Sequence, residues 1–501
     1  MLVLERGRRL QARDFPKTNW NLKRFFWLPR LGFRGLFKMT FLEHVTALSG
    51  VGVGGGSLVY ANTLPIPRDP FFQAPTWSHL ADWKAELAEP YRIVRRMLGA
   101  SRNPSLTYPD EVLREVAKEL GREDRFELTD VAVHFGAPGE LAADPYFGGE
   151  GPPRTGCILC GGCMLGCRYD AKNTLDKNYL HLAEKRGLRI EPDTEATWVK
   201  PLPGGGYEVT ARQGTWPLPG LNKERTYTSR HVVFAGGVTG TVPLLLKLRE
   251  HASGLPALSG RLGDFVRTNS EVLMGVVTRR RDRDLSQGIA QGSILHTDEH
   301  THLEPVRYPA GSGIFRLLML PHAPGDRLGQ RLAGALGLVA RHPVRTLQTY
   351  LVPDWAKYTI ILLYMSSVEG HMHLRLGRGP RTGFRRRAVT EAGDGPMARA
   401  WTPEATDLGQ RVARIVDGYP TSLLTETLLG IPTTAHILGG VPMGDSADTG
   451  VIDHRHRLFG YDGLFVIDGS AISANPGVNP SLTIAALAER AMTFIPPKGQ
   501  E

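Results

Sequence analysis

All four cysteines of the chain lie in one turn-rich stretch, Cys157-Ile-Leu-Cys160-Gly-Gly-Cys163-Met-Leu-Gly-Cys167. Thiolates spaced CxxCxxCxxxC are the ligand run of bacterial iron–sulfur clusters, and Gly161, Gly162 and Gly166 give the backbone freedom to wrap around one. The leading expectation is a [4Fe-4S] cluster on Cys157, Cys160, Cys163 and Cys167; reduced structural thiols come next. Zinc normally draws on two separated pairs, and disulfides are rare in a reducing cytoplasm. Two features count against the cluster. Arg168 stands where ferredoxins carry proline, and their fourth cysteine serves a second cluster for which no ligands remain.

A second constellation closes the chain. His436-Ile-Leu-Gly439-Gly440 is followed by Gly463-Leu-Phe-Val-Ile-Asp468-Gly469-Ser470 and then by Gly477-Val-Asn479-Pro480. An imidazole titrates near neutrality. Beside a carboxamide it could hold a hydroxyl and take its proton. Singly these residues mean little, because the chain has 16 histidines and an asparagine before proline is usually a turn residue. Their order carries the reading. The elements that would position them are a buried strand over residues 464–467, ending at Asp468, and a helix opening at Pro480, where a missing N–H is harmless.

Two further segments belong to the same argument. Met1-Leu-Val-Leu-Glu5 reads as the second strand of a dinucleotide-binding unit, ending in the acid that accepts ribose hydroxyls; the glycine-rich turn of such a unit lies about 20 residues earlier. The expectation is therefore that roughly 30 residues are missing ahead of Met1. Gly50-Val-Gly52-Val-Gly54-Gly55-Gly56 satisfies the bare GxGxxG pattern, but it follows Ala47-Leu48-Ser49 and runs into Leu58-Val59-Tyr60 with Pro65 soon after. It is a different glycine loop.

Together, residues 52–62, His231-Val-Val-Phe-Ala-Gly236-Gly237 and the C-terminal motifs resemble the glucose-methanol-choline (GMC) family of FAD oxidoreductases, in its cholesterol-oxidase-like branch. The resemblance implies an α/β fold, α+β overall: a Rossmann-like FAD-binding domain with an interleaved substrate domain built on an antiparallel sheet. It implies that Gly56, Tyr60, Ala61 and Thr63 contact the flavin. Tyr60 and Ala61 replace the usual Asn and Gly of cholesterol oxidases, so those two contacts are expected from backbone alone. Glu5 would meet the ribose, the backbone at Val199 the adenine, and Asp468 the ribityl side. His436 and Asn479 would sit over the flavin and bind the substrate hydroxyl. The glutamate base of cholesterol oxidases finds no secure counterpart; Glu369 is a candidate on chemistry only, with a surface position the expectation.

The expected reaction is oxidation of an alcohol CH–OH to a ketone or aldehyde by hydride transfer to flavin N5, with the amide-rich start of the C-terminal helix stabilising negative charge on the ring. The expected substrate is a bulky, hydrophobic, sterol-like alcohol. The alternatives are an iron–sulfur-linked dehydrogenase for a sugar or other polar alcohol, and an FAD-free truncated remnant with a binding role. The electron acceptor is O2 or, if the cluster is real, an acceptor protein or quinone.

Bulk properties frame these readings. At 501 residues the chain exceeds one ordinary core and predicts roughly two to four domains. The layout expected is FAD-binding segments at 1–63, 169–270 and 435–501, with substrate-domain segments at 64–168 and 271–434. The net charge of +10 favours an anionic surface, but no nucleic-acid-binding signature accompanies it. No apolar run approaches a membrane span, and no secretory signal opens the chain, so a cytoplasmic location is the default. Residues 22–38 interleave aromatics with Lys and Arg, which suits peripheral membrane contact at lipid headgroups or, preferred here, a packed segment covering FAD. The apolar run 333–340 reads as core or pocket lining.

Overall fold

A computed structural model describes residues 1–215, 221–379 and 382–496. The strands of its frame are β1 (Leu2–Leu4), β2 (Phe126–Leu128), β3 (Arg189–Glu191), β4 (Val232–Phe234), β5 (Val272–Thr278), β6 (Ser293–His296), β7 (Thr301–Val306), β8 (Met319–Pro321), β9 (Thr359–Ser366), β10 (Gly418–Leu423) and β11 (Leu464–Val466). The helices used below are α1 (Trp83–Met97), α2 (Tyr108–Glu119), α3 (Val238–Arg249), α4 (Leu328–Arg341), α5 (Pro343–Leu351), α6 (Pro403–Ile415) and α7 (Ser481–Met492).

Parallel pairing marks the nucleotide-binding side. β1 runs beside β3, and β4 beside β11 with Val232 opposite Leu464 and Phe234 opposite Val466. After β4 the chain turns through Gly236 and Gly237 into α3, whose Val242, Leu245 and Leu246 share one core with Leu464, Val466 and Leu482. This strand, glycine turn and helix is the local pattern that the sequence predicts.

The other frame is an antiparallel sheet in the order β8-β10-β5-β9-β7-β6-β2. Its strands are rich in Val, Ile, Leu and Tyr, and successive side chains point to opposite faces. Met274 and Val276 of β5, Leu303 of β7 and Leu362 of β9 pack on one face with Val112 and Val116 of α2 and Leu408 and Val412 of α6. Val276, Leu303 and Val412 are fully enclosed, each contributing about 1.5–3 kcal/mol through removal from water. The alternation places His302 and Glu304 of β7 on the opposite face, where the site lies.

Three expectations meet the structure here. Segment 64–168 does not belong wholly to the antiparallel frame. Asp82 caps α1 by accepting the Ala85 N–H at 3.1 Å, and α1 then packs on α7, where the Tyr91 and Thr483 hydroxyls meet at 2.9 Å and Arg490 lies 4.7 Å over Trp83. The aromatics of residues 22–38 turn inward: Phe25 and Phe37 stack at 4.8 Å and Trp27 is buried. Rings committed to a core cannot enter a headgroup layer, so packing wins over membrane contact there. Finally, residues 333–340 lie on α4 at the surface, where Ala335 turns inward but Leu336 is 68% exposed, so the run as a whole is not core.

Candidate active site

His436 is held by backbone on both sides. Thr433 and Thr434 pair in parallel with Thr46 and Ala47, and Leu438 exchanges two backbone hydrogen bonds with Arg267 at 2.8 and 2.9 Å. The following turn must be glycine, because a Cβ at Gly439, φ +77°, would stand 2.1 Å from the Phe265 carbonyl oxygen. The imidazole is thereby set against Glu271, the residue before β5. Glu271 Oε1 takes a hydrogen bond from His436 Nδ1, and Oε2 accepts the Ala435 N–H at 2.8 Å. A carboxylate only accepts, so the hydrogen sits on Nδ1 and Nε2 keeps a lone pair to receive a proton. Burial opposes charging of this imidazole, but Glu271, with Glu304 farther off, outweighs it and holds the pKa above the usual value.

Asn479 lies at the mouth of α7. Its Nδ2 donates to Glu304 Oε2 at 3.3 Å and to Gln291 Oε1 at 3.5 Å, while its Oδ1 is buried without a hydrogen-bond partner. Glu304 is fully buried, and its Oε2 also accepts from Gln291 Nε2 at 2.5 Å. Its Oε1 faces His302 Nε2 at 3.5 Å, and neither of these atoms makes a hydrogen bond. A buried acceptor without a donor costs on the order of 1–3 kcal/mol. Such orphans clustered in one place suit a polar group brought by a ligand.

Sequence reasoning named His436 and Asn479 but missed Glu271, Gln291 and Glu304. For Glu304 a signal existed: an acid inside a buried strand must have a purpose, because an unpaired buried charge is prohibitive. Glu271 carried no such mark. Glu369 stands aside from the imidazole. Its carboxylate accepts the Asn475 N–H at 2.7 Å and faces Arg267 Nε at 3.4 Å, and so steadies the loop before Gly477.

Comparison with known proteins bears directly on this arrangement. A sequence profile described as GMC oxidoreductase matches residues 394–488. The cholesterol oxidase of Mycobacterium tuberculosis (strain ATCC 25618 / H37Rv) is 43% identical over 511 residues, spanning 99% of this chain and 87% of that protein. The chain belongs to the GMC oxidoreductases. A cholesterol oxidase of Acinetobacter baumannii, 40% identical over 99% of this chain and 90% of its own length, places it in the cholesterol-oxidase-like branch. The solved structure of a pyridoxine 4-oxidase from Mesorbium loti shares the fold, with a TM-score of 0.58 at 14% identity over 98% of this chain and 94% of that one. As a GMC oxidoreductase the protein is FAD-dependent and acts on CH–OH donors.

The residues present fit FAD. At Gly55, Gly56, Gly237 and Gly240 no protein atom lies within 4 Å of where a Cβ would stand, so bare backbone borders open space, as close approach of a phosphate or ring requires. Both polar atoms of the buried Asn62 carboxamide are unpaired, as is Thr63 Oγ1. Glu5 ends β1 and accepts the Gly7 and Gly52 N–H groups at 2.7 and 3.1 Å, tying the acid to the glycine loop. The Tyr60 hydroxyl donates to the Asn173 carbonyl at 2.6 Å and its N–H to the Gly56 carbonyl at 3.0 Å, and Ala61 packs beside Val131 and Val133. Val199 is buried on the outer strand of a three-stranded antiparallel sheet, opposite Val209.

Asp468 joins two segments. Its carboxylate already accepts from Gly237 N–H at 2.8 Å, the Thr241 hydroxyl at 2.6 Å, and Ser470 N–H and hydroxyl at 2.8 and 2.5 Å. Four donors fill its acceptor sites. The side chain therefore clamps the turn entering α3 to the C-terminal segment.

The cysteines do not form a cluster cradle. Among the described residues no three or more His, Cys, Asp or Glu side chains are arranged to hold a metal ion, and all four thiols are free. The stretch instead plugs the space beneath the glycine loop. Gly161 N–H donates to Gly288 at 2.7 Å, Gly288 N–H donates back to Leu159 at 2.8 Å, and Cys163 packs with Val131, Val133, Ile289 and Ala290. Cys157 and Cys167 pack against the same apolar cluster as Cys163, so the thiols are neighbours without being arranged to hold a metal ion. Burial pushes the Cys157 and Cys160 thiols up to about 12 and about 11, leaving them protonated and inert near neutrality. The geometry favours reduced structural thiols.

Proposed function

We propose that this enzyme oxidises the ring hydroxyl of a sterol-like alcohol to a ketone and passes the electrons to O2. The observation that carries the reading is the meeting of two acid-backed groups, Glu271–His436 and Glu304–Asn479, in one buried site. The substrate hydroxyl donates to His436 Nε2, which takes its proton as the C–H bond breaks. Negative charge on Glu271, reinforced by Glu304, stabilises the imidazolium that results. Glu304 and Gln291 hold the Asn479 carboxamide so that its orphaned Oδ1 faces the reacting region. Bound FAD supplies the two-electron acceptor. It would be held by segments 1–63, 169–270 and 435–501, with Glu5 toward the ribose, Val199 toward the adenine, and Gly56, Tyr60, Ala61, Thr63 and Asp468 along the flavin and ribityl chain.

The names of the relatives, oxidases of a sterol matched over nearly the whole chain, support both substrate class and acceptor. The test is turnover of a 3β-hydroxysterol against a sugar alcohol, following oxygen uptake and hydrogen peroxide. Sterol-dependent peroxide is the expected outcome. Preference for the sugar, or turnover only with a quinone or acceptor protein, would overturn it.

A further inference from the structure

Close to the site lies a surface of a different character. Between Asp326 and Asp354 the chain has no acidic residue but carries Arg327, Arg331, Arg341 and Arg345. This is the stretch that forms α4 and α5. On α4, Arg331 and Ala335 turn inward. Arg331 Nε donates to the Thr427 carbonyl at 2.8 Å, which seats the helix on the turn Thr425–Leu429. The outer face presents Leu328, Leu332 and Leu336, and α5 continues it with Val344, Leu347 and Leu351, of which Leu336 and Leu351 are 68% and 67% exposed. Leu317 and Leu429, beside these helices, are exposed by 59% and 56%. Single exposed leucines need no explanation, but a contiguous apolar face rimmed by charge marks an interaction site. Arg345 also shares a shallow cavity beside α5 with Arg281, adding positive charge at the rim.

We propose that α4 and α5 dock this face on an anionic phospholipid bilayer. The helices would lie in the plane of the interface, leucines among the acyl chains and Arg327, Arg341 and Arg345 at the lipid phosphates. A second copy of the chain fits less well. A two-fold interface would bring α4 and α5, which carry arginines and no acid of their own, against their copies, setting like charges together. No helix among the described residues is long and apolar enough to cross a membrane, so contact is with the surface. The turn beneath α4, Thr425–Leu429, runs on through Thr433 and Thr434, which pair with Thr46 and Ala47, directly into His436. A lipid-resident alcohol would thus leave the bilayer close to the imidazole, a consequence that rests on the proposed function.

The test is co-sedimentation of the full chain with vesicles containing no alcohol substrate, made of phosphatidylcholine alone or mixed with phosphatidylglycerol. Binding is expected only with the mixed vesicles and should weaken as salt rises. Arg341→Ser with Arg345→Ser should lower the partition coefficient roughly thirtyfold, and Leu336→Ser with Leu347→Ser and Leu351→Ser should abolish binding. Neither set should alter turnover of detergent-dispersed alcohol, which shows that the variants fold. Absent binding, binding indifferent to lipid charge and to both variants, or a dimer that the leucine variant dissociates without any vesicle binding, overturns the proposal. Vesicle binding without sterol oxidation would instead sink the catalytic reading and leave the docking face standing.

Discussion

His436 can serve as a base because Glu271 decides which of its nitrogens carries hydrogen. The same carboxylate, against the effect of burial, raises the affinity of Nε2 for a proton. The sign of the pH dependence follows. Folding raises this pKa, so the Glu271–imidazolium attraction stabilises the fold fully below the unfolded pKa and is lost as pH rises through the folded one. Activity runs the other way, since Nε2 must be bare to take a proton. For Glu271→Gln the acid limb of the kcat/KM profile should therefore move to lower pH; an unmoved limb would mean that another group sets it. His436→Ala should lower kcat by about 10²- to 10⁴-fold with flavin retained, as judged from the visible spectrum. The imidazole and carboxamide were readable because each sits inside a glycine-flanked motif. Glu304 was marked as an acid within an apolar strand, but its pairing was not, nor was Glu271 at all: Glu271 lies 165 residues from His436 and Glu304 lies 175 from Asn479, and one sequence gives no sign of contacts made only by folding.

At the scale of elements, the glycine loop is held from below by Lys172. This buried ammonium donates to the carbonyls of Leu58, Tyr60 and Cys163 at 2.9, 3.3 and 2.7 Å, and burial lowers its pKa to about 8. Lys172→Met should destabilise the protein by on the order of 1–3 kcal/mol, seen as a lower denaturant midpoint, with flavin released earlier in the transition. The strand at Asp468 and the helix after Pro480 were legible to within a residue, since an apolar run and a first-turn proline are local signals. For α4 the apolar run 333–340 was visible but not its surroundings; an apolar run does not say whether protein covers it. The cysteine spacing misled for a related reason. Ligand spacing is necessary for a cluster, but hydrogen bonds to Gly288 turn this backbone to another use.

For the molecule as a whole, two frames are interleaved along the chain. α1 packs with the C-terminal helix across nearly 400 residues, as the Tyr91–Thr483 contact spans 392, so boundaries drawn in sequence order could not follow it. The family was legible from ordered motifs; the division of segment 64–168 between two cores was not. Protein purified anaerobically should show the two flavin absorption bands alone and contain no iron, whereas a broad shoulder between them with bound iron would contradict the structural-thiol reading. The most direct test of the central claim is anaerobic mixing of flavin-loaded enzyme with a 3β-hydroxysterol while the long-wavelength flavin band is followed. The wild type should bleach within its turnover time, and the His436→Ala, Asn479→Ala double variant should hold its flavin and stay yellow. Bleaching of that variant at the wild-type rate would contradict the account.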